Sequence, residues 1–130
     1  MSPSSEAILP HFSAVLDAVP ETPVIPQYAP TGTTPIPPAA IRKLAAEHSN
    51  LAAVKVESRP PYSFIAALAE EPCAVPSFAG SGGLYMLDSL RLGAIGVQPG
   101  SGFVELYQQI YSSWQSGETS RSEEVFLRLL

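Results

Sequence analysis

Short apolar segments of strand length alternate along this chain with longer segments of helical period. Four apolar segments begin at Val24, Leu51, Ala74 and Ala94, and apolar residues recur at helical spacing after each of them. This alternation is typical of α/β proteins, in which parallel strands are covered by helices. The strand-to-strand interval of about 20 to 28 residues suits half of a (β/α)8 barrel or a small open sheet.

Prolines and glycines lie mainly between the predicted elements, where they end helices and form turns. Helices are predicted over 38–48, 62–70, 84–92 and 103–115, with a first helix from a Ser4 or Ser5 cap to Ala18 and a last one beginning at Ser122. A loop is predicted over 31–38. We expect residues 1–130 to form one partial barrel domain, because about 100 to 150 residues can bury one core. The last helix reaches Leu130 without a cap, which predicts that the chain is cut there.

Composition limits the possible partners. The chain is 45% apolar and 15% charged, which is typical of a globular protein, and it contains no apolar segment long enough to cross a bilayer. Its net charge is −5 and its seven basic residues are scattered, so neither nucleic acid nor a membrane surface is an expected partner. A lone Cys73 rules out an internal disulfide and a cysteine-rich metal site. The N-terminus has no signal sequence, so a cytoplasmic location is expected.

One lysine, Lys55, interrupts the apolar segment 51–57 near the carboxyl end of its predicted strand. A buried ammonium costs several kcal/mol unless it is paired or neutral. Active sites of α/β barrels lie at this end of the strands, and a desolvated lysine is a nucleophile. A lysine at a strand end can also extend its amine into solvent without any catalytic role. The residues alone leave both interpretations open.

Four strand-end motifs recur in a characteristic order: Gln27-Tyr28-Ala29-Pro30, Val54-Lys55-Val56-Glu57, Phe78-Ala79-Gly80 and Leu92-Gly93-Ala94-Ile95-Gly96-Val97. In order and spacing they resemble strands five to eight of the dihydrodipicolinate synthase and N-acetylneuraminate lyase family, class I aldolases with a (β/α)8 barrel. The resemblance covers nearly the whole chain. It implies a partial barrel, in which strands one to four and the final helices of the family are absent.

The resemblance also implies roles for particular residues. Lys55 occupies the position of the lysine that forms a Schiff base with a 2-oxo acid, usually pyruvate. Gly80 matches a glycine that leaves space beside the bound oxo acid, and Gln98 matches a position that faces the site. Glu57 is a candidate to orient Lys55 or a substrate. The family needs neither metal nor organic cofactor, and the parent enzyme is expected to be a homo-oligomer, either a dimer or a tetramer.

Two positions depart from the family pattern. Members that make dihydrodipicolinate or cleave sialic acid carry a proton-relaying tyrosine where this chain has Gln27, and here the tyrosine comes one place later, at Tyr28. Gln27 and Tyr28 are both candidates for the catalytic role of that tyrosine. Strand alternation favours Gln27 facing the site and Tyr28 packing under a helix, unless a bulge at Pro26 corrects the register. The synthases also carry an arginine where this chain has Gly32. Neither named activity is therefore assigned, and the chain resembles a divergent branch whose second substrate and reaction direction are open.

The resulting hypothesis is a Schiff-base-forming lyase or aldolase that acts on a carbon–carbon or carbon–oxygen bond of pyruvate or another 2-oxo acid. The half-barrel itself is expected to be inactive. One alternative is a non-catalytic half-barrel that self-associates through its two open sheet edges. Another is a phosphate-binding domain that uses the turn Gly80-Ser81-Gly82-Gly83, a weak signal because the turn lacks the lysine of a P-loop.

Overall fold

Four short parallel strands form one sheet in the computed structural model, which describes residues 5–30 and 35–130. The strands are β1 (Gln27–Tyr28), β2 (Val54–Val56), β3 (Ser77–Ala79) and β4 (Gly96–Val97), and they lie in the order β1-β2-β3-β4. Every neighbouring pair is parallel. The predicted α/β class with a parallel sheet is confirmed.

Each strand is shorter than the apolar segment that predicted it. Before the start of β1 and β2, an isolated parallel bridge joins Val24 to Leu51. Pro26 lies between that bridge and β1, and it has no N–H to give to the ladder. It still accepts a hydrogen bond through its carbonyl, from the Lys55 N–H at 3.0 Å. The first apolar segment therefore runs beside the second from Val24 onwards, but only its last residues, Gln27 and Tyr28, form a strand.

Within the described ranges, six α-helices accompany the sheet: α1 (Ser5–Ala18), α2 (Pro38–Glu47), α3 (Tyr62–Leu68), α4 (Met86–Arg91), α5 (Val104–Gln115) and α6 (Thr119–Leu129). The segment Ser81–Gly83 forms a 3-10 turn before α4, so that helix begins later than predicted. The last helix begins earlier than predicted, at Thr119. Ser4 and half of the predicted loop, including Gly32, lie outside the described residues. None of the helices in the described ranges is long and apolar enough to span a bilayer.

Two apolar clusters form the core. The first joins the helix-covered face of the sheet to α1, α2 and α3, and its most buried members include Leu16, Ile41, Val54, Val56, Ile65 and Leu68. The second joins α4, α5 and α6 through Met86, Leu87, Leu90, Ile110 and Val125. The side chain of Val97 on β4 packs against both clusters. The sheet thus has one face in the core, and its other face carries the candidate site.

Candidate active site at the carboxyl ends of the strands

The register of the sheet brings most of the predicted site residues to one face. It aligns Gln27 with Lys55, Lys55 with Phe78, and Phe78 with Gly96. Because side chains alternate along a strand, residues two positions further on share this face. The next residues on this face, nearer the carboxyl ends of the strands, therefore include three more predicted site residues: Glu57, Gly80 and Gln98. Functional side chains of parallel-strand barrels lie at this end.

Lys55 and Glu57 form an ion pair on β2 and the residues just after it. Lys55 Nζ lies 2.9 Å from Glu57 Oε1, and the two side chains are 24% and 20% exposed. Since the residues are two apart on an extended strand, they point to the same side and can meet. The lysine that interrupts the apolar segment is thus neither isolated nor free in solvent, because its charge is matched by the next residue on its own face.

The second oxygen of Glu57 is held by the turn after β3. The backbone N–H of Ser81 donates to Glu57 Oε2 at 2.6 Å. Burial acts to raise the pKa of the Glu57 carboxyl, but the hydrogen bonds from Lys55 and from the Ser81 N–H, together with the Lys55 charge, outweigh it and lower the pKa below its ordinary value. The carboxylate is thereby kept ionised and fixed in orientation.

Gly80 has no side chain at the point where Glu57 reaches the turn. A Cβ built on Gly80 would overlap the Glu57 carboxyl group and lie 2.8 Å from its Oε2. The space that a larger residue would fill is thus occupied by the carboxylate. The role implied by the resemblance, leaving room for an oxo acid, stays a prediction.

Gln27 and Tyr28 lie on opposite faces of β1. Gln27 is exposed on the Lys55 side, whereas Tyr28 is buried. The Tyr28 ring stacks on the Phe64 ring of α3 with centroids 3.9 Å apart and planes inclined by 10°. Burial raises the pKa of its phenol. Tyr28 is therefore not turned towards Lys55, and this candidate for the catalytic tyrosine lies away from the site, in the orientation that strand alternation favours.

Gln98 lies at the carboxyl end of β4, beside a separate groove. Its backbone N–H donates to the Ala79 carbonyl at 2.8 Å, which extends the β3–β4 ladder by one residue. The adjoining groove has a volume of about 470 Å³ and is lined mostly by apolar side chains, among them Phe78, Val97, Tyr107 and Tyr111. Lys55 does not line it. In the described part of the chain, no group of three or more His, Cys, Asp or Glu residues could hold a metal ion.

The turn Gly80–Gly83 uses most of its backbone donors within the protein. The Ser81 N–H binds Glu57, the Gly83 N–H donates to the Gly80 carbonyl, and the Leu84 N–H donates to the Ser81 carbonyl. A phosphate cradle needs such N–H groups free and pointing outwards. The predicted alternative of a phosphate-binding turn therefore has little support in the geometry.

Two contacts at this turn were missed by sequence reasoning. One is the Ser81 N–H that holds Glu57. The other is Tyr107 on α5, whose hydroxyl donates to the Gly82 carbonyl at 2.5 Å and fixes the far side of the turn. Ser81 adopts a positive φ of 52°, which is uncommon for a residue with a side chain. The glycines around Ser81 were the available signal of an unusual backbone, but no local pattern identifies what the turn contacts.

A parallel sheet with helices on one face and a lysine at the carboxyl end of a strand is the arrangement expected for part of a (β/α)8 barrel. No family model matches the sequence. The chain is 31% identical over 131 residues to 4-hydroxy-tetrahydrodipicolinate synthase of Methanopyrus kandleri, a match that covers 98% of this chain and 43% of that protein. The chain thus spans less than half the length of this curated relative.

Solved structures of other proteins share the fold of this chain over less than half of their own length. The match to a dihydrodipicolinate synthase covers 98% of this chain and 44% of that protein, with a TM-score of 0.85 and 24% identity. The dihydrodipicolinate synthase of Aquifex aeolicus matches the same shares with a TM-score of 0.84 and 25% identity. A 2-keto 3-deoxygluconate aldolase from Picrophilus torridus shares the fold, with a TM-score of 0.80 at 19% identity. These matches confirm the predicted resemblance to the C-terminal part of the dihydrodipicolinate synthase family.

Proposed function

We propose that Lys55 is the Schiff-base-forming nucleophile of a lyase or aldolase that acts on pyruvate or another 2-oxo acid. The observation that carries this proposal is the position of the Lys55 amine, at the carboxyl end of a parallel strand, on the face of the sheet away from the core and paired with Glu57. Support also comes from the likeness of the chain to a 4-hydroxy-tetrahydrodipicolinate synthase.

The chemistry requires an amine that is held in place beside an open surface. A neutral amine attacks the carbonyl carbon of the oxo acid, and loss of water gives a protonated imine. The imine withdraws electrons from the adjacent carbon, so a bond at that carbon can form or break without a metal or an organic cofactor. We propose that Gln27 and Gln98, which share the face of Lys55, hydrogen-bond the substrate, and that Gly80 keeps the space beside it open.

We also propose that residues 1–130 act as a single partial-barrel domain, because Val97 joins the two apolar clusters. Imine formation needs one reactive lysine, whereas turnover needs every substrate contact of a complete site. We therefore expect the chain to form the imine but not to complete a catalytic cycle. In the oligomeric parent enzyme the same lysine would carry the whole reaction.

Reductive trapping tests the proposal. The chain is incubated with pyruvate, sodium borohydride is added, and peptide mapping locates the added mass. We expect the reduced pyruvyl group on Lys55 and its absence in Lys55→Met. Lys43→Met is the matched control, because Lys43 also has a carboxylate partner but its side chain is 78% exposed on α2. An adduct that is absent from the wild-type chain, or that persists in Lys55→Met, would refute the proposal.

A second candidate is a self-associating half-barrel without catalysis. In the described part of the chain β1 pairs only with β2 and β4 only with β3, so each has one edge without a strand partner. Open edges offer backbone groups for pairing with another chain. Sedimentation velocity separates the candidates: concentration-dependent assembly without any pyruvate adduct would favour this one, and a monomer at all concentrations would exclude it.

A further inference from the structure

We propose that Glu57 is the acid–base residue of Schiff-base formation at Lys55, and that Gly80 and the Ser81 N–H exist at this turn to hold the Glu57 carboxylate against the amine. This inference rests on the proposed function and deepens it. It assigns the proton transfers to the residue that directly follows β2. The residue of β1 on the site face is Gln27, which does not titrate.

The contacts of Glu57 support this assignment. One carboxylate oxygen is 2.9 Å from the reacting nitrogen of Lys55, within the distance over which a proton is transferred. The other accepts the Ser81 N–H at 2.6 Å, which fixes the plane of the carboxylate. Ser81 adopts a positive φ, which is unfavourable for a residue with a side chain and persists only where the surroundings hold it.

The neighbours of Lys55 on the adjoining strands cannot take this role. Gln27 and Phe78 flank Lys55 in the register, and neither titrates. The Tyr28 phenol lies on the other face of the sheet, stacked on Phe64. The Tyr107 hydroxyl is already hydrogen-bonded to the Gly82 carbonyl. Glu57 is the acidic residue that the described structure pairs with Lys55.

In the proposed step, Glu57 Oε1 takes one proton from the Lys55 ammonium and leaves a neutral amine. The nitrogen lone pair forms a bond to the carbonyl carbon of the 2-oxo acid, the C=O π electrons move to oxygen, and a proton passes from nitrogen to that oxygen. Protonated Glu57 then returns its proton to the new hydroxyl, which leaves as water while the nitrogen lone pair forms the C=N bond. The products are a protonated imine, one water and the original Glu57 carboxylate.

The environment of Glu57 suits both directions of this transfer. While Lys55 is charged, its hydrogen bond and its charge help to lower the pKa of Glu57 against the opposing effect of burial. When the ammonium gives up its proton, the positive charge that favours the ionised carboxylate is gone, so protonation of Glu57 becomes easier. The Glu57 carboxylate therefore binds a proton more strongly once Lys55 is neutral than while Lys55 is charged.

The substitution Gly80→Ala disturbs the site without removing the Lys55 amine or the Glu57 carboxylate. In Gly80→Ala the new methyl group would overlap the Glu57 carboxyl group, which is the end of a flexible side chain and can move aside. The carboxylate would then leave Lys55 and the Ser81 N–H, while the fold is kept. If Gly80 acts through Glu57, the effect of Gly80→Ala should be smaller when Glu57 is replaced by alanine.

The experiment measures the rate at which the pyruvate adduct forms on Lys55, by adding borohydride at successive times. The samples are the wild-type chain, Glu57→Gln, Glu57→Ala, Gly80→Ala and the Gly80→Ala/Glu57→Ala double variant. We expect Glu57→Gln to slow the reaction by about 10²-fold or more, the size of a general acid–base contribution. We expect formate to restore part of the rate in Glu57→Ala but not in Glu57→Gln, in which the amide fills the site. Gly80→Ala should slow the wild-type chain by a larger factor than it slows Glu57→Ala, in which there is no carboxylate left to displace.

The possible failures are distinguishable. No adduct in the wild-type chain would overturn the proposed function and this inference with it. A wild-type adduct whose rate is unchanged in Glu57→Gln would overturn this inference alone, and so would a slowed Glu57→Ala that formate does not rescue. Near-UV circular dichroism of Trp114 reports folding. If the Glu57 variants do not fold, Gly80→Ala decides, because an unchanged rate in that variant contradicts the role of the carboxylate.

Discussion

The Lys55–Glu57 ion pair should make a measurable contribution to folding, which can be tested without any substrate. The two side chains are 24% and 20% exposed, so the pair lies between a solvent-exposed pair, worth about 0 to 1 kcal/mol, and a buried one, whose disruption costs about 3 to 5 kcal/mol. We expect Lys55→Met to lower the free energy of unfolding by about 2 kcal/mol, because it leaves a half-buried carboxylate with only the Ser81 N–H. The coupling energy between the two residues should be about 1 to 2 kcal/mol.

A double-mutant cycle measures this coupling. The wild-type chain, Lys55→Met, Glu57→Gln and the double variant are unfolded in urea at pH 7, and Trp114 fluorescence reports the transition. The control cycle uses Lys43 and Glu47 on α2, whose charged atoms are 3.8 Å apart and whose side chains are 78% and 55% exposed. For that pair we expect about 0.3 to 0.5 kcal/mol. If the Lys55–Glu57 coupling is no larger than the control value, the pair does not form as described.

The pH dependence of the same cycle has a definite sign. The pKa of Glu57 is lowered on folding from its ordinary value of 4.5, so the folded state favours the ionised form. The stabilisation is fully present above pH 4.5 and is lost as the pH falls through the lower folded-state pKa. The advantage of the wild-type chain over Glu57→Gln should therefore shrink in acid. An advantage that stays constant through that range would contradict the electrostatic argument.

Two further predictions concern stability. Gly93 has a φ of +98° and a Cβ there would lie 2.7 Å from the Ala69 Cβ, so Gly93→Ala should cost about 2 to 3 kcal/mol in thermal unfolding. Gly100→Ala is the matched control, since nothing lies within 4 Å, and a change larger than about 0.5 kcal/mol there would undermine the comparison. The fully buried Ser122 Oγ donates to the Ile110 carbonyl at 3.0 Å. Ser122→Ala should lower the free energy of unfolding by about 1 kcal/mol in urea, and no loss would mean that this bond does not join α5 to α6.

The order of elements could be predicted because it depends on local patterns. The helix predicted from 38 to 48 is observed over Pro38–Glu47, and that from 103 to 115 over Val104–Gln115. Both have apolar residues at helical spacing and a proline or glycine near an end. Strand alternation also predicted the opposite orientations of Gln27 and Tyr28. Strand lengths were overestimated, because an apolar residue beside a strand can be buried without joining its ladder, as Val75 is.

The contacts that complete the site could not be predicted, because they join residues far apart in the sequence. The sequence shows Glu57 two residues after Lys55, but not that the Ser81 N–H meets it from the next strand. His48 illustrates the same limit, because its ring nitrogen Nε2 lies 2.9 Å from Ser13 Oγ on α1, 35 residues away in the sequence. A single sequence has no pattern that reports such pairs.

The contact between Gly80 and Glu57 has a consequence for how related sequences can vary. A chain that keeps a glutamate at position 57 in this orientation is restricted to glycine at position 80, because any Cβ would displace the carboxylate. A chain that replaces Glu57 with a small residue removes that restriction, and position 80 can then accept a side chain. The two positions should therefore covary among relatives of this branch, so that neither substitution is neutral unless the other has already occurred.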